Sequence, residues 1–192
     1  MSADAVSTLI YRRATITSLE GKEFDLSNSI TQFDYYEDIL KQSITATIEI
    51  KSSYSYVSQL PIRGGEKVEL DVVTSFGETE FKDDTALYVY KVSNWNTERT
   101  VEECVIHLTS LEFFSNQSTR CMKKYNFKGI GEHVKDILKN TLKTKKDFKV
   151  EPTANSYTFI GNTKKPFYTL SWLGSKSISQ VTKKSGVSGE GK

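Results

Sequence analysis

Cysteine and histidine are nearly absent from this sequence, with two of each in 192 residues. Cys104 and Cys121 alone cannot build a disulfide framework, and such sparing use fits a reducing compartment. With His107 and His133 they are also the only soft metal ligands. Cys104 and His107 fall three apart on an expected strand and point to opposite faces, so a zinc site is not expected, nor any cofactor. No apolar run approaches the roughly 20 residues of a membrane-spanning helix, so insertion by this chain is not expected. The opening MSADAVSTLIYRR places its arginines after a short apolar stretch, the reverse of a secretory signal.

Aromatic residues, by contrast, are plentiful. Ten Tyr, ten Phe and two Trp are too much apolar surface to leave solvated, which excludes disorder throughout. The length suffices to bury a core without disulfides. A formal net charge of +2 hides an asymmetry. Residues 1–119 hold ten Lys+Arg and nineteen Asp+Glu, a net of −9; residues 120–192 hold sixteen and five, a net of +11. Two surfaces with different partners are the expectation.

The first 111 residues read as β. Ile44, Ala46, Ile48 and Ile50 share one face of an alternating run and Thr45, Thr47 and Glu49 the other; Val68, Leu70 and Val72 oppose Glu69 and Asp71 in the same way. Strands are expected over residues 7–19, 23–26, 29–36, 43–50, 66–73, 87–95 and 101–111, with a hairpin connection through Asn94-Trp95-Asn96-Thr97-Glu98-Arg99. Pro61, Gly64 and Gly65 mark a sharp structural turn into the strand that starts at Glu66. The spacing is that of a sandwich or barrel.

Residues 112–173 read as a helix-containing α+β segment. Ile130, Val134, Ile137, Leu138 and Thr141 or Leu142 predict an amphipathic helix over 129–142. A helical turn or two is expected within 112–124, a hairpin of 148–151 with 157–160, and a helix starting near Pro166. Residues 174–192, rich in Ser, Gly and Lys, read as a flexible tail or linker.

Catalytic signatures are missing. Gly64-Gly65-Glu66-Lys67 lacks the length, the hydroxyl residue and the following helix of a phosphate loop, and reads as a turn. The adjacent acids Glu37-Asp38, Asp83-Asp84 and Glu102-Glu103 are solvated charges rather than a general acid–base pair. No nucleophile–base constellation is visible, so an enzyme is not expected. Lysines 123, 124, 128, 135, 139, 143, 145, 146 and 149, with Tyr125, Phe127 and Phe148, form an electrostatic footprint for nucleic acid. The competing reading is a solvated helical face.

One ordered set of segments is more specific. SITQFDYYEDIL (29–40) leads into SITATI (43–48), then LPIRGGEKV (60–68), Lys123-Lys124-Tyr125, His133-Val134, Ile137-Leu138, YTFIGN (157–162) and Pro166-Phe167. Over about residues 8–188 this order resembles the N-terminal part of the baseplate hub protein of contractile-tailed, myovirus-type phages. The resemblance implies an antiparallel β-barrel of the tail-tube type over 1–111 and a structural, non-enzymatic role without cofactors. It implies a homotrimer ring that meets the tail tube or its initiator on one face and the central spike on the other. DNA would be transient cargo, and the site the virion tail baseplate, assembled in the host cytoplasm. The family's second tube domain has no counterpart here, so the chain reads as a fragment, a truncated product or one piece of a split hub.

Within that frame Tyr35, Tyr36, Ile39 and Leu40 fall at a hairpin tip, either as subunit-interface anchors or folded back on their own barrel. Glu49, Glu69 and Asp71 would line the channel if their strand face looks inward, repelling phosphate; period 2 equally allows the outward case. Two rivals stand: a nucleic-acid-binding module using residues 120–149, and a tube or spike component of a related contractile injection system.

Overall fold

Alternation decides which side chains are buried in the first part of the chain. In a computed structural model that describes residues 10–52, 62–74, 77–98 and 101–180, Ala46, Ile48 and Ile50 are buried while Thr45, Thr47 and Glu49 face away. The chain divides into two compact units, Met1–Leu111 and Glu112–Lys192.

The first unit is an antiparallel sheet. Its strands are β1 (Ile10–Thr17), β2 (Glu23–Asp25), β3 (Ile30–Tyr36), β4 (Thr45–Ser52), β5 (Lys67–Thr74), β6 (Gly77–Phe81), β7 (Leu87–Glu98) and β8 (Val101–Ser110). The hydrogen-bonded order is β2-β1-β5-β7-β8-β4-β3, with β6 also on β5. The sheet curls so that its β3 end approaches β6 through side chains: the rings of Phe33 and Tyr35 on β3 lie 6.1 and 5.3 Å from Phe81 on β6. Burial, and then the charge of Asp34 on β3, raise the pKa of Tyr11 on β1. Ile16, Ile48, Leu70, Leu87, Ile106 and Leu108 fill the interior. Each such side chain contributes about 1.5–3 kcal/mol by leaving water.

Two features depart from the sequence reading. The segment expected as a hairpin connection, 94–98, continues β7; Asn96, Thr97 and Glu98 pair with Glu103, Glu102 and Val101. Polar residues are tolerated there because both faces meet water: Asn94, Trp95, Asn96 and Thr97 are all exposed. A shift in register between Ser93 and Asn96, with Asn94 at φ +53°, absorbs the irregularity. Strand β6 has no sequence signal, since only Phe81 in GETEF is buried.

The second unit holds α1 (Leu111–Ser118, beginning at the boundary), β9 (Lys124–Gly129), α2 (Ile130–Asp136), β10 (Ser156–Ile160) and α3 (Pro166–Gly174). The expected hairpin of 148–151 with 157–160 does not form; β10 pairs with β9 instead. The cause is an aromatic cross-strand pair: Tyr125 and Phe159 stack with centroids 4.4 Å apart and planes 5° apart. Residues 150–151 instead pass Gly131, where an added Cβ would meet Glu151 O at 3.0 Å.

The expected helix over 129–142 changes pitch. After α2 comes one wide π turn, Ile137–Thr141, in which Leu142 N–H donates to Ile137 O at 2.9 Å. The extra residue keeps Ile137 and Leu142 on one buried face, so Leu142 enters the interior and Thr141 does not. Of residues 174–192, the described part is tied down by Ala154 N to Ile178 O at 2.8 Å and Gln180 N to Pro152 O at 3.2 Å.

Glu112 anchors the start of this unit. Its carboxylate accepts from Thr144 Oγ1 at 2.7 Å and pairs with Lys146 Nζ at 3.0 Å. Burial pushes its pKa up, but these hydrogen bonds and the lysine outweigh it, and the net shift is downward. A lowered folded pKa gives stability that is complete above the unfolded value near 4.5 and lost as pH falls through the folded one. Glu112→Gln is expected to flatten the acid limb of a denaturation profile below that pH. An unchanged acid limb would remove the pair from the account.

Candidate functional site

Among the described residues the hairpin between β3 and β4 is the most exposed apolar feature of the first unit. Ile39 is 100% and Leu40 83% accessible at its tip. Leu40 N–H donates to Asp38 Oδ1 at 2.9 Å and Lys41 N–H to Asp38 O, so a tight turn holds both aliphatic groups outward. Tyr36 is exposed beside them, whereas Tyr35 folds back on Phe81 and donates its hydroxyl to Glu37 at 3.3 Å. All four tip residues thus reach solvent, Tyr35 least, at 38%, because its ring also packs on Phe81. Among the described residues neither Glu37 nor Asp38 has a cationic partner.

Glu49, Glu69 and Asp71 all lie on the sheet face away from the core, but in different settings. Glu49 is exposed. Asp71 stands opposite Arg13 across β1 and Glu80 across β6. Glu69 is only 8% accessible and pairs with Arg13 at 2.9 Å and Lys67 at 2.5 Å. The Lys67 hydrogen bond lowers its pKa against the opposing effect of burial, so Glu69 is ionised but neutralised locally.

Pro61 lies outside the described residues. Gly64 and Gly65 adopt φ of +99° and +97°, which glycine tolerates without a Cβ penalty. The loop's N–H groups point at its own carboxylate: Arg63 and Gly64 donate to Glu66 at 2.6 and 2.9 Å.

The four soft ligands are scattered. Cys104 lies in the core of the first unit, where burial and then the charge of Glu102 push its thiol pKa up to about 11. His107 lies on the opposite face of that strand, with Nε2 2.7 Å from Ser93 Oγ. Cys121 is buried in the second unit, and His133 donates from Nε2 to Tyr157 O at 2.9 Å. No cluster of three metal-binding side chains occurs among the described residues.

The lysines divide as well. Lys123, Lys124, Lys128, Lys135 and Lys139 line one pocket of about 400 Å³ between β9 and α2, while Lys143, Lys145, Lys146 and Lys149 do not. Lys123 pairs with Asp136 at 2.5 Å and Lys135 with Glu132 at 3.2 Å. Among the described residues Lys124, Lys128 and Lys139 have no acidic partner. All nine lysines are visible in the sequence but this convergence is not, because it needs β9, whose strand pattern is hidden by four exposed residues out of six.

No family model and no curated protein sequence matches the chain. Solved structures do. The 43 kDa tail protein of prophage MuSo2 from Shewanella oneidensis superposes at a TM-score of 0.57 and 11% identity, over 88% of this chain and 48% of that one. A tail protein from Neisseria meningitidis MC58 gives 0.51 and 14%, over 84% and 44%. The E. coli c3393 protein, a type VI secretion component with structural similarity to the bacteriophage T4 tail proteins gp27 and gp5, gives 0.51 and 9%, over 90% and 41%. This chain spans less than half the length of each, and over both of its units it has the fold of these phage tail and tail-like proteins.

Proposed function

We propose that the chain is a non-enzymatic structural subunit of a phage tail baseplate hub. It contributes to a homotrimeric ring between the tail tube, or its initiator, and the central spike, through which DNA passes as cargo. The observation that carries this reading is the fold likeness to tail proteins over 84–90% of the chain, despite 9–14% identity. Among the described residues β3 hydrogen-bonds to β4 alone, and its outer backbone edge, next to an exposed aliphatic tip, is the kind of edge that a neighbouring copy can extend or cover. In such a ring Glu49 and Asp71 face the lumen and repel phosphate, while Glu69 orders the wall through Arg13 and Lys67. The likeness to the E. coli c3393 protein favours a second setting for the same fold, a tube or spike part of a contractile injection system.

Negative-stain electron microscopy of the purified chain, with light-scattering mass on the same sample, tests the ring. Closed rings of three or six copies are expected. A mass of one copy at every concentration overturns the ring for this chain, and a ring map with Glu49 on the outer wall removes the channel assignment.

A further inference from the structure

The two units differ in charge as well as in fold. Unit one holds ten Lys+Arg and eighteen Asp+Glu, a net of −8, and unit two sixteen and six, a net of +10. Several acids of unit one are matched to cations: Glu78 with Arg12, Glu80 with Lys82, Glu103 with Lys51, Glu69 with two partners. Glu37 and Asp38 have no cationic partner among the described residues, and their place in the fold sets them apart. They sit on a protruding tip between Tyr36 and the fully solvated Ile39. Unit two offers the complement: three lysines without acidic partners around one pocket, Lys124 and Lys128 on β9 and Lys139 in the π turn that follows α2.

We propose that the β3–β4 tip of one copy seats in the lysine pocket of a second copy, an inference that rests on the ring reading and names its contact. Glu37 and Asp38 approach Lys124, Lys128 and Lys139. Ile39 and Leu40 cover the aliphatic stems of the lysines. Charge of this kind sets partner choice and register, while the buried aliphatic groups supply the tight contact. Tip and pocket are different surfaces, so the contact is heterologous and propagates from copy to copy, closing into a ring where the rotation permits. A phosphate backbone fits the pocket less well. Glu132 and Asp136 line it too, and they leave three unpaired lysines, a number suited to a two-acid tip.

The test uses the full chain. E37K/D38K and K124E/K128E are each expected to weaken self-association, read by light scattering across concentration, by at least about tenfold, since like charges then face each other. The fourfold variant E37K/D38K/K124E/K128E restores the complement and is expected to recover association. In a separate variant, Asp38→Cys with Lys128→Cys is expected to give oxidised species of two or more copies on a non-reducing gel. Rings that persist unchanged in E37K/D38K overturn the docking and leave the ring reading standing. Tip-to-pocket crosslinks in open filaments leave the docking standing and overturn the ring. A crosslink confined to one chain, or loss of binding to a DNA 12-mer in K124E/K128E with self-association untouched, overturns the docking. So does a wild-type chain that stays monomeric.

Discussion

Gly161→Ala is expected to disrupt the second unit while leaving the first folded. Gly161 follows β10, and a Cβ there would lie 2.3 Å from Cys121 O, 2.6 Å from Cys121 C and 2.8 Å from Cys121 Cβ. The obstacle is mostly backbone, which cannot rotate aside as a side chain would. That backbone is also pinned: Cys121 N–H donates to Lys164 O at 2.9 Å, Lys164 N–H to Gly161 O at 3.0 Å, and Gly161 N–H to Lys123 O at 3.1 Å. Relief therefore means separating strands at a fully buried position beside the Tyr125–Phe159 stack. Overpacking of this kind costs on the order of 3 kcal/mol. Hydrogen exchange is the suitable readout: amides of β9, α2 and β10 should lose protection and those of β4 and β8 keep it. Gly174→Ala is the control, with nothing near its added Cβ, and should be neutral or slightly stabilising. Equal protection in Gly161→Ala and wild type would show that the Cys121 backbone gives way freely.

The same position shows why the second unit was harder to read than the first. In β4, β5 and β8 each side chain's face follows from alternation, so Ile48, Leu70, Cys104 and Ile106 could be placed inside from the sequence. In the second unit the information is in pairs distant along the chain. Nothing local in KYNFKG says strand; Tyr125 becomes a strand residue because Phe159, 34 positions later, stacks on it. Once that pair is missed, residues 148–151 are left as the only apparent partner for 157–160. The two candidate surfaces divide in the same way. The tip at Ile39 and Leu40 is legible because a polar turn interrupts two alternating runs. The lysine pocket is not, because the strand that carries Lys124 and Lys128 is recognisable only through its distant partner β10.

Glu66→Ala carries the second large effect, in the first unit. A glutamate with 0% accessibility at the end of a Gly-Gly turn is unusual, and its role is visible in its acceptors. Its carboxylate takes the N–H groups of Arg63 and Gly64, filling the small concavity of backbone donors that the turn creates. The turn so fixed holds a narrow seam. Between β5 and β7 the register contains only Lys67 opposite Tyr88 and Val68 opposite Leu87. Gly65 N–H to Val89 O at 2.7 Å and Val89 N–H to Glu66 O at 3.0 Å extend it by one step. That seam joins the β2-β1-β5 half of the sheet to the β7-β8-β4-β3 half. Removing the carboxylate strands donors at the one place where the halves are joined by so little. The loss should be about 2–3 kcal/mol, with water able to reach Arg63 more readily than Gly64. Glu66→Gln keeps an acceptor oxygen and should lose less. Gly65→Ala attacks the same seam by a different route, since φ near +97° resists any Cβ. Urea midpoints for the three variants separate the contributions. If Glu66→Ala unfolds within about 0.5 kcal/mol of wild type, the seam is held by the core beneath it and not by the turn.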